Sequence, residues 1–414
     1  MAKSFLNSLS LFWYTILLAA PVCTLFAVSV TLQSDIQILH SIKEAIDPNS
    51  LSPTSFLSTW KFDLDPCETT GPHFLGILCT VPEDNSSSRV TVIDLEGDVL
   101  EGFLTPAIGN LSELEVLNLR KNKFRGPIPD TISSLLKLTK LLLSDNYFSG
   151  GIPEGLNRLK ALEDIDMSRN KLSGTISLGI TGLRSLTHLS FSGNSLSGRI
   201  PDLSGLWQLK TLDLSNNQFY GNLPQLPISL RTLRLNRNLI SGHISYLRRL
   251  RHLQILDLSD NRFSGSIDRY LLTLPEISTI NVSANVFTDI VVMSRLDQHS
   301  QLQLLAANHN RLHGHLPVNL ITYESLKEIY LGHNLFSGWI PKQFGAKLDG
   351  PWRSLFLEYN YLEGTPPLEF IQGRRKIRGS LAHNCLKCPG NVTFCHGGQR
   401  APGDCAARGG GGEE

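Results

Sequence analysis

Few side chains in this 414-residue sequence stand where covalent chemistry could be done. Ser190, Ser192, Asp213 and Ser215 recur at equivalent positions, with no general base arranged beside them. No nucleophile motif, phosphate-cradling glycine loop, HExxH helix or kinase signature occurs, which points to a non-enzyme that needs no cofactor. Cys385-x-x-Cys388, with Cys395 and His396, supplies the ligand types of a zinc site. The same cysteines, with Cys67, Cys79 and Cys405, equally supply disulfides, and their separation into two distant groups makes local pairing the simplest reading. What remains is binding chemistry: His309, Tyr330, His333, Phe356 and Tyr359 are residue types enriched at binding hot spots.

The elements that would bring those rings together follow from periodicity. Leu138 to Pro153 reads LTKLLLSDNYFSGGIP, and its leucine, asparagine and glycine slots return along most of the chain. The asparagine slot holds Asn122, Asn146, Asn170, Asn194, Asn217, Asn238, Asn261, Asn285, Asn310, Asn334 and Asn360, spaced 21 to 26 residues apart. A further unit, Val90 to Leu100, carries Asp98 there, giving about 12 units of leucine-rich-repeat length. Each unit opens with a short strand that cannot cover its own apolar side, so neighbours must stack into a parallel-stranded solenoid. The asparagine amides have the donors and acceptor to satisfy strand-end backbone groups, and are expected to form a structural ladder.

Charge excludes some partners. With 38 basic and 37 acidic residues the net charge is +1, too little to attract nucleic acid. Lys3 and an apolar run from Leu11 towards Val30 describe a secretory signal peptide over residues 1–29. No later segment is apolar enough to span a bilayer, so a soluble, secreted extracellular protein is expected. Sequons at Asn85, Asn110, Asn281 and Asn391 fit a glycosylating route. Ser34 and Asp35 offer an N-cap to an amphipathic helix built on Ile36, Leu39, Ile42 and Ile46.

The LxGxIP half of the repeat, plain in Phe124 to Pro129, Phe148 to Pro153, Leu196 to Pro201 and Phe336 to Pro341, resembles the plant-specific leucine-rich repeat. Ser34 to Cys79 resembles the N-terminal cap of plant receptor-like proteins, receptor-like kinases and polygalacturonase inhibitors, although Phe74-Leu75 stands where that family usually has a tryptophan. The resemblance covers about residues 34–405. It implies an α/β repeat, a right-handed solenoid with disulfide-stapled caps. The parts are an N-terminal cap over 30–89, repeats over 90–367, a cysteine-containing C-terminal cap over 368–405 and a disordered tail over 406–414.

It also implies a concave face displaying the residues between the leucines. The early units place Asn118, Arg120, Lys121, Lys140, Asp164 and Asp166 there. The middle ones place Asp213, Arg234, Arg237, Asp257 and Asp260, and the last ones His309, Glu328, Tyr330, His333, Phe356, Glu358 and Tyr359. The Arg-x-Arg pair with which related peptide sensors hold a carboxylate is only approached, by Arg234 and Arg237 around Asn236. The expected function is recognition of a secreted peptide or a receptor-kinase ectodomain in cell-surface signalling or defence. One alternative is an inhibitor of a pathogen's wall-degrading polygalacturonase, which fewer cap cysteines and more repeats than those inhibitors weaken. The other is a structural wall protein, held on cell-wall polysaccharide through the basic run from Gly373 to Gly379.

Overall fold

The computed structural model describes residues 30–68, 72–80, 86–293, 300–372, 377–389 and 392–409. The signal-peptide stretch, the sequons Asn85 and Asn391, and part of the basic run lie outside it.

The leucine slots dictate the coil. In the unit starting at Leu138, Leu141 centres the strand Lys140–Leu142, and Leu138, Leu141, Leu143 and Phe148 are all fully buried. Lys140 and Leu142 alternate to the other side, as a strand requires. Stacked coils align these strands into one 14-stranded sheet, parallel except for its first member, Ile77–Thr80, which pairs antiparallel with Arg89–Asp94. The glycine half of each unit forms a second row of short strands. At Gly126 the backbone sits at φ +78°, and a Cβ there would stand 2.9 Å from the Phe103 ring, so both conformation and space demand glycine.

The asparagine ladder closes the backbone accounting. Asn360 donates through Nδ2 to the carbonyls of Leu331 (3.0 Å), Leu357 (3.1 Å) and Glu358 (3.3 Å). Its Oδ1 accepts from the Phe336 amide of the preceding coil at 3.1 Å. The same acceptor bond recurs from Asn122 onwards. Asp98 has no such coil before it; its carboxylate instead accepts from Ser55 Oγ and the Phe56 amide of the cap.

The N-terminal cap differs from expectation in its start. The helix spans Gln33–Glu44 after Leu32, with no side-chain cap bond. Asp35 is drawn inward instead, fully buried, where it pairs with Arg89 Nε at 3.0 Å and accepts from the Val90 amide at 3.1 Å. Trp60 and Phe74 plug the open end of the solenoid, with ring centroids 6.0 Å apart, so Phe74 does the sealing at the departure from the family pattern.

The C-terminal end corrects two boundaries. Removing the antiparallel first strand from fourteen leaves thirteen parallel strands, the last being Arg378–Ser380, so the array continues into the stretch assigned to the cap. Asn384 makes the ladder bonds of that coil, accepting from Leu362 at 3.1 Å. Gly379 holds the central leucine position; Phe394 fills the space, its ring 2.5 Å from where a glycine Cβ would be. The disulfides are Cys67–Cys79, Cys385–Cys405 and Cys388–Cys395. The six cysteines among the described residues thus form three local pairs, leaving none of their thiolates for the zinc reading. A helix at Pro402–Gly409 carries regular structure into the expected tail.

Two irregular units leave marks. The second row of strands breaks after Val286–Ile290 and resumes at His313–His315, where the repeat lacks its glycine, while the long sheet runs on. Near Trp207, two consecutive coils lack the 3₁₀ segment carried by the four coils before them and by the coil after them.

Candidate binding face

One slot in each coil builds the candidate site. The residue before the ladder asparagine turns the chain out of the strand in the left-handed region, with φ of 51° to 57° at Lys121, Asp145, Arg169, Asn216, Arg237, Asp260, Ala284, His309, His333, Tyr359 and His383. The turn sets these side chains side by side along the solenoid. In the last coils the slot holds rings, and they stack: His309 on His333 at 4.0 Å, His333 on Tyr359 at 4.1 Å, Tyr359 on His383 at 4.2 Å between centroids. A second pair on the strands themselves, Tyr330 and Phe356, stacks at 5.2 Å. The structure thus unites all five expected ring residues and adds His383, hidden from sequence reasoning because its repeat lacks two of the usual apolar residues, at Lys376 and Gly379. The terminal cap leaves the row open: Tyr359 is 40% exposed.

Carboxylates back the rings. Tyr330 donates to Glu328 Oε2 at 2.7 Å, and burial followed by this bond pushes its phenol above the usual value. The Glu358 carboxyl lies over Gly332, where a Cβ would stand 2.8 Å from Oε1. Its buried Oε2 has no partner among the described residues, and burial holds its titration above the usual carboxylate value. His333 is pushed the other way, first by burial and then by the charges of His309 and His383. The result is a shelf of stacked rings, suited to planar or apolar groups.

Elsewhere the expected face residues neutralise or tether one another. Arg120 pairs with Asp166 at 3.0 Å, Lys121 with Glu96 at 2.7 Å, and Arg169 with Asp145. Asp164 lies among them with its titration raised by burial. Ser168, Ser215, Ser259 and Ser283 each donate to the residue two before, Asp166, Asp213, Asp257 and Asn281, at 2.6 to 2.7 Å, which explains the recurring serines and aspartates without catalysis. Arg234 and Arg237 fall in different rows; Arg237 donates to Asn216 at 3.3 Å. Asn281 ends the strand Thr279–Asn281 on this face, and Asn110 is exposed at the end of the segment Pro106–Asn110. Among the described residues no group of His, Cys, Asp and Glu could hold a metal, and no helix is long and apolar enough to cross a membrane.

Comparison with known proteins agrees with this architecture. The profile described as Leucine Rich Repeat matches residues 113–135, 137–159 and 252–274, and that described as Leucine Rich repeats (2 copies) matches 184–227. Receptor-like protein 35 of Arabidopsis thaliana is 37% identical over 154 residues, 36% of this chain and 16% of that protein. The crystal structure of a TDR receptor superposes with TM-score 0.65 at 30% identity over 70% of this chain and 51% of that one. The Arabidopsis receptor kinase HAESA, solved with the peptide hormone IDA and the co-receptor SERK1, superposes with TM-score 0.62 at 25% identity, over 86% of this chain and 66% of that one. The chain is a leucine-rich-repeat solenoid similar to plant receptor ectodomains, and each match takes in only part of the other protein's length.

Proposed function

We propose that this protein is a secreted, non-catalytic recognition module that holds a peptide or a receptor-kinase ectodomain against the rings of its last coils. The observation that carries the reading is the open stack His309, His333, Tyr359 and His383 beside Tyr330 and Phe356. Such rigid aromatic surface is what hot spots are made of, because little side-chain entropy is lost on binding. The resemblance to a receptor solved with a peptide hormone and a co-receptor favours the same classes of partner. Three disulfides suit an oxidising extracellular setting. A glycan on Asn281 would cover the middle of the long sheet and leave its C-terminal end free.

The test is capture of partners from plant cell-surface extract by the secreted, glycosylated protein and by a variant with Tyr330, His333, Phe356 and Tyr359 all changed to alanine. Loss of a captured receptor kinase or peptide in a variant that keeps its circular dichroism and melting point supports the reading. Identical capture by both, or inhibition of a fungal polygalacturonase that survives the substitutions, sinks it.

A further inference from the structure

A second surface lies on the side of the coils that carries the 3₁₀ segments. From Pro106–Asn110 to Leu178–Gly182 each segment packs on the next, and the row resumes only at Ser245–Arg249. The two coils between are short, with ladder steps of 23 and 21 residues from Asn194 to Asn217 to Asn238. In place of the longer segment each makes a single tight turn, the Leu206 amide donating to the Leu203 carbonyl at 3.0 Å and the Leu230 amide to the Pro227 carbonyl at 3.3 Å. What is left is a hollow of about 290 Å³ with Leu223 and Leu226 at the core boundary, rimmed by Trp207, Ile228, Tyr246 and Arg249. Trp207, Ile228 and Tyr246 are 62%, 68% and 55% exposed, so three bulky apolar side chains crowd one spot of a surface where they have no structural duty.

Basic residues dominate around it. From Asp202 to Asp257 the sequence has seven basic residues and three acidic ones, in a chain whose net charge is only +1. Asp202 accepts from the Ser204 amide at the rim, while Arg234, Arg237 and Asp257 belong to the long-sheet side. Asp213 is on the long-sheet side, bonded to Ser215. Arg248 and Arg249 end the segment Ser245–Arg249, and Arg248 and Arg251 line an adjoining hollow of about 340 Å³ with Tyr270. Among the described residues none of Arg248, Arg249 and Arg251 has a carboxylate within ion-pair distance. Arg249 instead lies over Tyr246 at 5.6 Å. An apolar notch fenced by tyrosine, tryptophan and unpaired arginine is complementary to a ligand that is apolar at one point and negative around it.

We propose that this notch docks an acidic peptide segment, which inserts one bulky apolar side chain between Trp207 and Tyr246 and sets its carboxylates against Arg248, Arg249 and Arg251. The aliphatic floor favours a side chain over a sugar or a nucleotide, and the volume suits one anchor residue. The site is separate from the ring shelf and stands whether or not that shelf binds a partner.

The experiment uses the full secreted chain with its disulfides intact and a fluorescein-labelled peptide of glutamates and aspartates around a single central tryptophan. Fluorescence anisotropy should report saturable binding that weakens with salt. Binding should fall at least about tenfold when the central tryptophan is alanine, and by a similar factor in the Trp207→Ala, Tyr246→Ala double variant. Replacing Arg248, Arg249 and Arg251 with glutamine should weaken it and replacing them with lysine should restore most of it, while Phe356→Ala with Tyr359→Ala should leave it unchanged. These positions are exposed, and an unchanged melting curve verifies the fold. The proposal is overturned if the tryptophan peptide does not bind, or binds no better than its alanine counterpart. It is equally overturned if oligogalacturonate or single-stranded DNA binds as tightly and ignores the Trp207 substitution.

Discussion

One slot carries one chemistry at the start of the ladder and another within it. Asn360 faces carbonyl oxygens that need donors, whereas Asp98 faces the Ser55 hydroxyl and the Phe56 amide, which need only acceptors. Asn360→Ala strands the Phe336 amide and the Leu331 carbonyl in the core, and should cost about 2–4 kcal/mol in urea unfolding. Asn360→Asp should also be costly, since a carboxylate would confront three carbonyls, but Asp98→Asn keeps an acceptor and should cost less than about 1 kcal/mol. Equal losses at the two sites would show that shape, not polarity, sets the slot. Glu358 gives a pH prediction. Its folded carboxyl titrates above the unfolded one, so the folded state binds the proton more tightly; stability is highest below the unfolded value and is lost as pH rises through the folded one. Glu358→Gln should therefore raise the melting point at pH 8 and leave it unchanged at pH 4; a variant no more stable at pH 8 would mean that Oε2 is satisfied.

At the scale of the element, the ring row is one stack, and His333 in its middle senses its neighbours. His333 is depressed first by burial and then by two like neighbours. Changing His309 and His383 to glutamine should move its imidazole titration upward in NMR, but only part of the way, because burial remains; no movement would mean that the rings do not sense one another. A base with a lowered folded value makes its stabilising contribution above the unfolded value of about 6.5 and loses it as pH falls through the folded one. Acidification should thus loosen the stack and any partner on it. The row was readable in the sequence as far as Tyr359, since each ring keeps a constant offset from a ladder asparagine. His383 was not, because Phe394, distant along the chain, supplies the packing that Gly379 lacks. Asp35 misled for a related reason: a residue typed as a helix cap was claimed by Arg89 and the Val90 amide 55 residues away. The notch at Trp207 was visible only as a short repeat, for spacing reveals a shortened coil but not which side chains it leaves exposed.

Across the whole molecule, each coil touches only its neighbours, so stability passes along the axis through interfaces, and the last coil depends on whatever covers it. Here that cover is Phe394 and the pairs Cys385–Cys405 and Cys388–Cys395, next to His383 and two coils beyond His333. The candidate face is therefore mounted at the end of the array where one cap controls its order. Replacing Cys385 and Cys405 with alanine opens a loop of 20 residues and should remove roughly 3 kcal/mol of local stability. In hydrogen exchange the effect should be graded: amides of the strands Ser354–Phe356 and Arg378–Ser380 lose protection, while Lys140–Leu142, near the other end, keeps its own. Partner capture through the ring row should fall with the C-terminal protection although no ring has been altered, and binding of the acidic peptide near Trp207 should persist. Uniform loss of protection from end to end would instead mean that the solenoid unfolds as a single unit, and that the end cap has no privileged hold on the rings.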